Sequence, residues 1–514
     1  MHLTFLDWLV IAGYFAINFG IGLWYRRRAT GSTEEYFVSG RNVSWWLAGT
    51  SMVATTFAAD TPLAVTGLVA SYGIAGNWLW WNMLLSNMLT VFFFARLWRR
   101  AGVVTDVEFS ELRYGGKPAA FLRGFRALYL GLPINCIILG WVNLAMVKIL
   151  MMIFPDLTFP ALGIANPKIA ALCIVFVIML ITASISTLSG LWGVLVTDLF
   201  QFVLKMGMVI VLAYYALRPW PWILTALASL VLYPTLVDKE SGFVKTMVDP
   251  AVFPPALAGL MIAAFAAAYM STIATNLNWG ASYLVNDFYR RFLLKGQTDR
   301  HYVRIAQLAT LLLMVASSVV TYYQDSISGA WKFLMAVGAG TGSVCILRWF
   351  WWRINAWSEV SAMTASFVVS MGLQYIGKFD SNDPRQFAWT VLITVAASTV
   401  SWLLVTWLTP PEDKQTLLAF YRRVKPSPTL WGVIAREASE VRPRRDEWNN
   451  LFDWLAGCAM IYLTLFGIGK IIFGHWRMGL FFLGFAAAAG CFVYWDLNRR
   501  GWKVLDDESS NTKP

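Results

Sequence analysis

Charge is what this sequence has least of. Of 514 residues only 14% are Asp, Glu, Lys or Arg, and the mean hydropathy is +0.57. That balance excludes an ordinary soluble domain. Histidine is scarce, with three copies (His2, His301, His475) at ends or in loops. No Cys–His or paired-carboxylate constellation falls within an apolar run, which argues against an enzyme and against a bound cofactor. The five cysteines (Cys136, Cys173, Cys345, Cys458, Cys491) lie in or at the edge of apolar runs. They show neither metal-ligand spacing nor a disulfide framework.

What is abundant is apolar sequence, 58% of the chain. Many runs reach the roughly 20 residues that cross a bilayer, so the expected fold class is an all-α polytopic membrane protein. Thirteen spans are expected, at 4–25, 44–75, 78–98, 127–153, 169–188, 191–217, 255–281, 305–323, 333–347, 358–377, 387–409, 454–473 and 478–496. The first is followed by Arg26-Arg27-Arg28 and has no small-residue cleavage site, so it reads as a retained span rather than a signal peptide. Tryptophan and tyrosine crowd the span ends (Trp45, Trp46, Trp78, Trp80, Trp81, Trp349, Trp351, Trp352), as interfacial belts require.

A net charge of +12 invites a nucleic-acid partner, but its distribution argues for none. With the N-terminus outside, about 30 Lys and Arg fall on cytoplasmic segments and about 9 on outer ones, with Lys148 and Lys205 inside spans. This predicts a multi-pass protein of the inner (plasma) membrane with a cytoplasmic C-terminus, whose surroundings are lipid and which has no evident obligate protein partner. The basic stretch Lys414–Arg445 is expected to touch anionic headgroups or to be a solvated loop. The apolar segment Trp220–Tyr233, after Arg218-Pro219-Trp220-Pro221-Trp222, would invert every later span if it crossed alone. It is therefore expected to be re-entrant, interfacial, or a kinked extension of the span before it.

Three polar interruptions carry the chemistry. The first is Ala268-Tyr-Met-Ser271-Thr272-Ile-Ala-Thr275, where Ala268, Ser271, Thr272 and Thr275 share one helical face. A free carbonyl at Ala268 with two hydroxyls would be a hard-oxygen cluster suited to an alkali cation. The alternative is small-residue helix packing with back-bonded hydroxyls. The second is Thr50-Ser51-Met-Val-Ala54-Thr55-Thr56-Phe57-Ala58-Ala59-Asp60-Thr61-Pro62 in the middle of a span. Pro62 removes the hydrogen bond to the Ala58 carbonyl and disfavours helix at Thr61. The break either frees carbonyls for an ion or is a plain kink. The third is Thr197-Asp198-Leu-Phe-Gln201, an acid within a span. Its partner is expected to be a bound cation, or else Lys205 or Lys148.

In this order, these elements resemble the solute:sodium symporter family, which includes bacterial proline and sialic acid symporters and the sodium–glucose cotransporters. Glu35-Tyr36-Phe37-Val-Ser-Gly40-Arg41, Gly190–Gln201 and Asn286-Asp287-Phe288-Tyr289 add to the likeness, which covers roughly residues 5–405. The resemblance implies a leucine-transporter type bundle of two inverted repeats, each led by a broken helix. It also implies a sodium site built from the carbonyls of Ala54, Phe57 and Ala268 and the hydroxyls of Ser271 and Thr272, with Asp198 assisting. A second ion site would use positions 274 and 275. Thr275 supplies a hydroxyl there and Ala274 does not, which favours one sodium per cycle. Family substrate residues match poorly. Asp60, Thr61 and Thr66 with Trp80, Trp81 and Asn82 could line an aromatic cavity for a small organic solute (a sugar, carboxylate or amino-acid-like molecule), or could be packing.

One departure stands out. Ser271 follows Asp198 by only 73 positions, an interval that in the family also houses two further helices, the first being the second broken helix. The expected organisation is a symporter core over 1–409, with a first repeat at about 44–217 and an incomplete second repeat at about 218–353. A basic loop at 410–452, two additional helices at 453–497 and a tail at 498–514 follow. The expected function is sodium-driven solute uptake by alternating access, impaired if the missing wall matters. The alternatives are a membrane sensor, or a sodium leak or defective carrier.

Overall fold

The structure is a computed structural model that describes residues 4–29, 49, 51, 58–207, 219–249, 258–441 and 443–501. Regular structure among them is helical, apart from one antiparallel bridge between Phe159 and Ile164. The main helical runs are α1 (Phe5–Ala29), α2 (Asp60–Tyr72), α3 (Ile74–Ala101), α4 (Gly116–Ile153), α5 (Pro167–Gly207), α6 (Pro219–Leu232), α7 (Gly242–Val248) and α8 (Ala258–Ser282, continued as a π-helix over Tyr283–Leu293). They continue with α9 (Asp299–Tyr323), α10 (Ile327–Phe350), α11 (Ala356–Met371), α12 (Pro384–Leu408), α13 (Lys414–Val424), α14 (Glu447–Ile472) and α15 (Trp476–Arg500). Nine helices among the described residues are long and apolar enough to cross a membrane.

The polarity of these helices is that of a protein in lipid. On α12 the buried positions are Thr390, Thr394, Ser398, Trp402 and Thr406, one every four residues, while Trp389, Leu392, Val400 and Leu404 face outward. On α9 Thr310, Ser317 and Thr321 are buried and Leu308, Leu312 and Val319 are exposed. A water-soluble helix shows the reverse. In hydrocarbon, hydroxyls are placed between helices and apolar side chains face the solvent, here lipid.

Several expectations need correction. The spans expected at 169–188 and 191–217 are one 41-residue helix, α5, through Gly207. The Ser189-Gly190 pair does not break it: an interior glycine costs only about 1 kcal/mol, and no proline is present to remove a donor. At 1.5 Å per residue α5 is about 61 Å long, about twice a hydrocarbon core. The first half of the span 44–75 lies largely outside the described residues, and α2 falls in its second half. Thr61 is helical, against expectation, because the helix begins at Asp60. Pro62 therefore sits in the first turn, where a missing N–H is harmless. The Thr61 N–H donates to the Ala58 carbonyl at 3.3 Å, so that carbonyl is not released.

The Trp220–Tyr233 segment lies on α6, whose 14 described residues span about 21 Å, short of a core of about 30 Å. Pro219 and Pro221 start it. Pro133, which has no N–H to donate, accompanies a π-turn over Leu130–Ile134 within α4.

The chain divides into two compact units. One comprises Met1–Gly76, Arg123–Val211 and Pro221–Leu334. A polar chain runs through it: Tyr269 Oη donates to Asn143 Oδ1 at 2.8 Å, and Asn143 Nδ2 donates to Thr321 Oγ1 at 3.3 Å, joining α8, α4 and α9. Arg123 donates twice to Asp287, at 3.0 and 2.7 Å, tying α4 to the π-segment of α8.

The other unit comprises Asn77–Leu122, Leu212–Trp220 and Met335–Pro514. Its stretch 414–445 is more than a solvated loop. Phe420 and Trp431 are wholly buried with Phe109 and Trp349. The buried Arg113 guanidinium lies over Trp431 and donates to the carbonyls of Arg348, Trp351 and Trp352. α14 and α15 pack as a hairpin, with Gly479 so close to Gly467 and Ile471 that a side chain there would meet them at 2.5–2.7 Å.

Candidate ion site on α5 and α8

α8 reads Ala-Gly-Leu-Met-Ile-Ala-Ala-Phe-Ala-Ala-Ala-Tyr-Met-Ser-Thr. Ala263, Ala264, Ala266, Ala267 and Ala268 are all buried, so small side chains let neighbouring helices approach closely. The hydroxyls are thereby brought to the carboxylate of α5. Ser271 Oγ donates to Asp198 Oδ1 at 2.5 Å, and Ser51 Oγ donates to the other oxygen, Oδ2. Asp198 has no solvent exposure and Ser271 almost none. A buried carboxylate accepting two hydroxyl hydrogen bonds keeps its charge at lower cost than a bare one.

Thr272 is buried beside Ser271, and its Oγ1 donates to the Ala268 carbonyl at 3.2 Å. The Ala268 carbonyl accepts this back-bond, as the packing alternative has it, and a carbonyl oxygen carries a second lone pair. Such a hydroxyl donates its proton to the carbonyl and leaves its lone pairs for a cation. Thr275 is half-buried one turn on, beside the buried Ala274. The predicted ligands Ala54 and Phe57 lie outside the described residues. Asn276 Nδ2 donates to the Thr272 carbonyl at 2.9 Å, and Asn135 Nδ2 donates to the Asn276 carbonyl at 3.0 Å, fixing α8 against α4 just below the hydroxyls.

Lys148, the alternative partner of Asp198, is committed elsewhere. Its ammonium meets Glu240 at 2.7 Å and Asp238 at 2.9 Å. Glu240 in turn accepts the Ile327 and Ser328 backbone N–H groups at 3.1 and 3.0 Å, capping the start of α10. The Lys205 side chain is not described.

The predicted substrate residues divide between the units. Asp60, Thr61 and Thr66 are buried on α2, and Thr66 donates back to the Pro62 carbonyl at 2.8 Å. Trp80, Trp81 and Asn82 belong to the other unit. Asn82 Nδ2 donates to the Trp78 and Leu79 carbonyls, both at 2.8 Å, and Trp80 Nε1 to Asn77 at 2.9 Å. Trp81 packs edge-on to Phe466, and its carbonyl accepts the Tyr462 hydroxyl. The Trp80 and Asn82 contacts lie within α3, and those of Trp81 pack it onto α14.

Sequence reasoning missed Ser51, although the Thr50-Ser51 pair opens the polar patch. It also missed the Glu240 cap, and Lys332, a buried cation that donates to Tyr72 Oη at 3.0 Å. Only pairing in three dimensions reveals the last two.

The Asp198 carboxylate and the Ser51 and Ser271 hydroxyls are thus held dry between the apolar helices of a multi-pass membrane protein. The profile of the sodium:solute symporter family matches residues 36–220 and 235–366, and the chain belongs to that family. Its relatives include a sodium/glucose cotransporter of Vibrio parahaemolyticus, 22% identical over 73% of this chain and 86% of the relative. The sodium/glucose cotransporter 2 of Rattus norvegicus is 32% identical over 24% of this chain, and the high-affinity proline transporter PutP of Bacillus subtilis (strain 168) is 30% identical over 27%. This chain spans only 19% and 31% of those two proteins. A solved structure of a sodium-coupled sialic acid symporter, substrate-bound and outward-open, matches with a TM-score of 0.58 at 19% identity, covering 80% of this chain and 99% of that one. The fold is therefore the leucine-transporter type, and the protein class is that of sodium-coupled solute carriers.

Proposed function

We propose that this chain imports a small organic solute (a sugar, carboxylate or amino-acid-like molecule) by sodium-driven alternating access across the inner (plasma) membrane. The observation that carries the reading is the buried Asp198 carboxylate on the Ser271 hydroxyl, with Thr272 and Ala268 on the same face of α8. Sodium would be held by the Ser271 and Thr272 hydroxyls and the Ala268 carbonyl, completed by the carbonyls of Ala54 and Phe57. Asp198 supplies the charge that draws the ion in and takes back the Ser271 proton contact when it leaves. With Ala274 lacking a hydroxyl, one sodium moves per cycle. The N-terminus lies outside and the C-terminus in the cytoplasm, a reading supported by the excess of Lys and Arg on the segments this places inside.

The interval Asp198–Ser271 supports a second reading. Its described helices beyond α5 are α6, of 14 residues, and α7, of 7, neither long enough to cross. The Vibrio alignment is 478 positions long yet takes in 73% of this chain's 514 residues, about 375, so on the order of 100 positions have no counterpart here. The second repeat of the core is then incomplete, and the substrate site has one wall instead of two. Such a protein would let sodium through without solute. Reconstituted vesicles decide between the two. Saturable solute uptake that follows the sodium gradient in fixed stoichiometry supports the symporter; sodium flux rising linearly without solute supports the leak. Inserting two family-type helices near Ala213–Leu217 should raise uptake, and no gain would count against the incomplete-repeat reading.

A further inference from the structure

α1 wears its polarity inside out. Among its described side chains the buried ones are Asp7, Tyr14 and Asn18, at 3%, 4% and 0% exposure, while Phe5, Trp8, Leu9, Ile17, Phe19 and Leu23 face outward. Spacings of seven and four put the three on one helical face. A membrane helix retains polar groups where protein partners receive them, and for two of these the partner is the helix that carries Ser271 and Thr272. Asp7 Oδ1 accepts the Gly259 backbone N–H at 2.7 Å. That N–H lies at the described start of α8, where a carboxylate is favoured by the helix dipole. The other carboxylate oxygen is fixed by Thr4, through its N–H at 2.8 Å and its hydroxyl at 2.6 Å. The two backbones are in such close approach that a Cβ on Gly259 would fall 2.4 Å from the Asp7 Cα. Further along, Tyr14 Oη donates to Met270 Sδ at 3.4 Å, and Met270 directly precedes Ser271.

We propose that α1, which lies ahead of the residues matched by the family profile, is a positioning clamp for the ion-binding helix. Asp7 anchors the start of α8 and Tyr14 bears on the turn that presents Ser271 and Thr272. Together they fix how far those hydroxyls stand from Asp198, and so set sodium affinity without either residue touching the ion. This rests on the sodium reading of the Ser271–Asp198 site.

The test is the sodium concentration giving half-maximal thermal stabilisation of the purified full chain, at constant ionic strength with choline, in wild type and in Asp7→Ala, Asp7→Asn and Tyr14→Phe. Asp7→Asn keeps an acceptor for the Gly259 N–H, and Tyr14→Phe removes only a hydroxyl, so both should fold even if Asp7→Ala does not. Expected is a rise of about 3- to 10-fold in that concentration for Asp7→Ala, the size that residues remote from a ligand transmit. Asp7→Asn should restore most of it, and Tyr14→Phe should shift it about 2-fold in the same direction. A clamp that is merely structural would lower the sodium-free melting temperature in these variants and leave the half-maximal concentration at its wild-type value; that result overturns the proposal. A wild-type response that is absent, or that persists in a Ser271→Ala/Thr272→Ala double variant, defeats the sodium reading itself, and the clamp with it.

Discussion

Replacing Asp198 with Asn isolates the charge at the candidate ion site. The amide is nearly the same size, and its oxygen can still accept one of the two hydroxyl hydrogen bonds now made by Ser271 and Ser51. The carboxylate oxygen is 2.5 Å from the Ser271 hydroxyl. A hard cation held about 2.4 Å from that hydroxyl stands on the order of 5 Å from the charge. At an effective dielectric constant of about 20, that attraction is worth about 3 kcal/mol, or about two orders of magnitude in sodium affinity. The ion-free protein should move the other way. A buried charge carries a desolvation cost, so Asp198→Asn should be no less stable than wild type without sodium. The assay is a thermal-unfolding series in detergent with sodium exchanged against choline. A half-maximal sodium concentration within threefold of wild type would refute the assignment of Asp198 to the ion site. So would a large loss of stability without sodium, which would mark Asp198 as a structural residue.

Glu240→Ala should cost about 3–5 kcal/mol of stability, because it leaves Lys148 with only the half-exposed Asp238 and strips the cap from α10; a melting temperature within a few degrees of wild type would contradict this. Gly280→Ala should destabilise by about 1–3 kcal/mol through overpacking, since its Cβ would lie 2.1 Å from the Asn135 amide nitrogen, which chemical-denaturation midpoints would show. The Asp446 carboxyl, at the start of α14, is pushed up by burial but brought below its ordinary value of 3.8 by the hydrogen bonds and charge of Arg96, with Arg500 adding to the effect. A carboxyl depressed in the folded state binds fewer protons there than when unfolded. Its contribution is therefore fully present above about pH 4 and lost as pH falls further. Thermal midpoints between pH 7 and pH 3 should show that acid-side loss, and Asp446→Asn should flatten it.

Most of the fold was legible because the membrane writes it into composition. Apolar runs marked α3, α4, α8, α9, α12, α14 and α15, and the small-and-hydroxyl stretch 268–272 marked the helix that meets Asp198. The pairing of Asp198 with α8 was legible only through resemblance, since no spacing rule connects residues 73 positions apart. What stayed hidden were features set by partners. Thr61 was misread because a proline in a first turn and a proline that breaks a helix look alike until the helix start is known. The boundary between the spans expected at 169–188 and 191–217 falls inside one helix, because a glycine cost of about 1 kcal/mol is easily outweighed over a long apolar helix. The stretch 414–445 was read by its charge, while Phe420 and Trp431 were burying themselves against Phe109 and Trp349. The polar face of α1, with Asp7 and Tyr14 a turn-multiple apart, was present in the sequence and passed over, because three scattered polar residues in an apolar run look like noise without α8 beside them.

The central claim is that the oxygens of α8, with Asp198, hold sodium. The most direct test is the thermal stability of the purified protein in sodium against potassium or choline, with Ser271→Ala/Thr272→Ala as the control. A ligand that binds only the native state must raise its stability. A rise specific to sodium and lost in the double variant is the predicted result. A folded wild-type protein with no rise, or an equal rise in the double variant, would contradict the account.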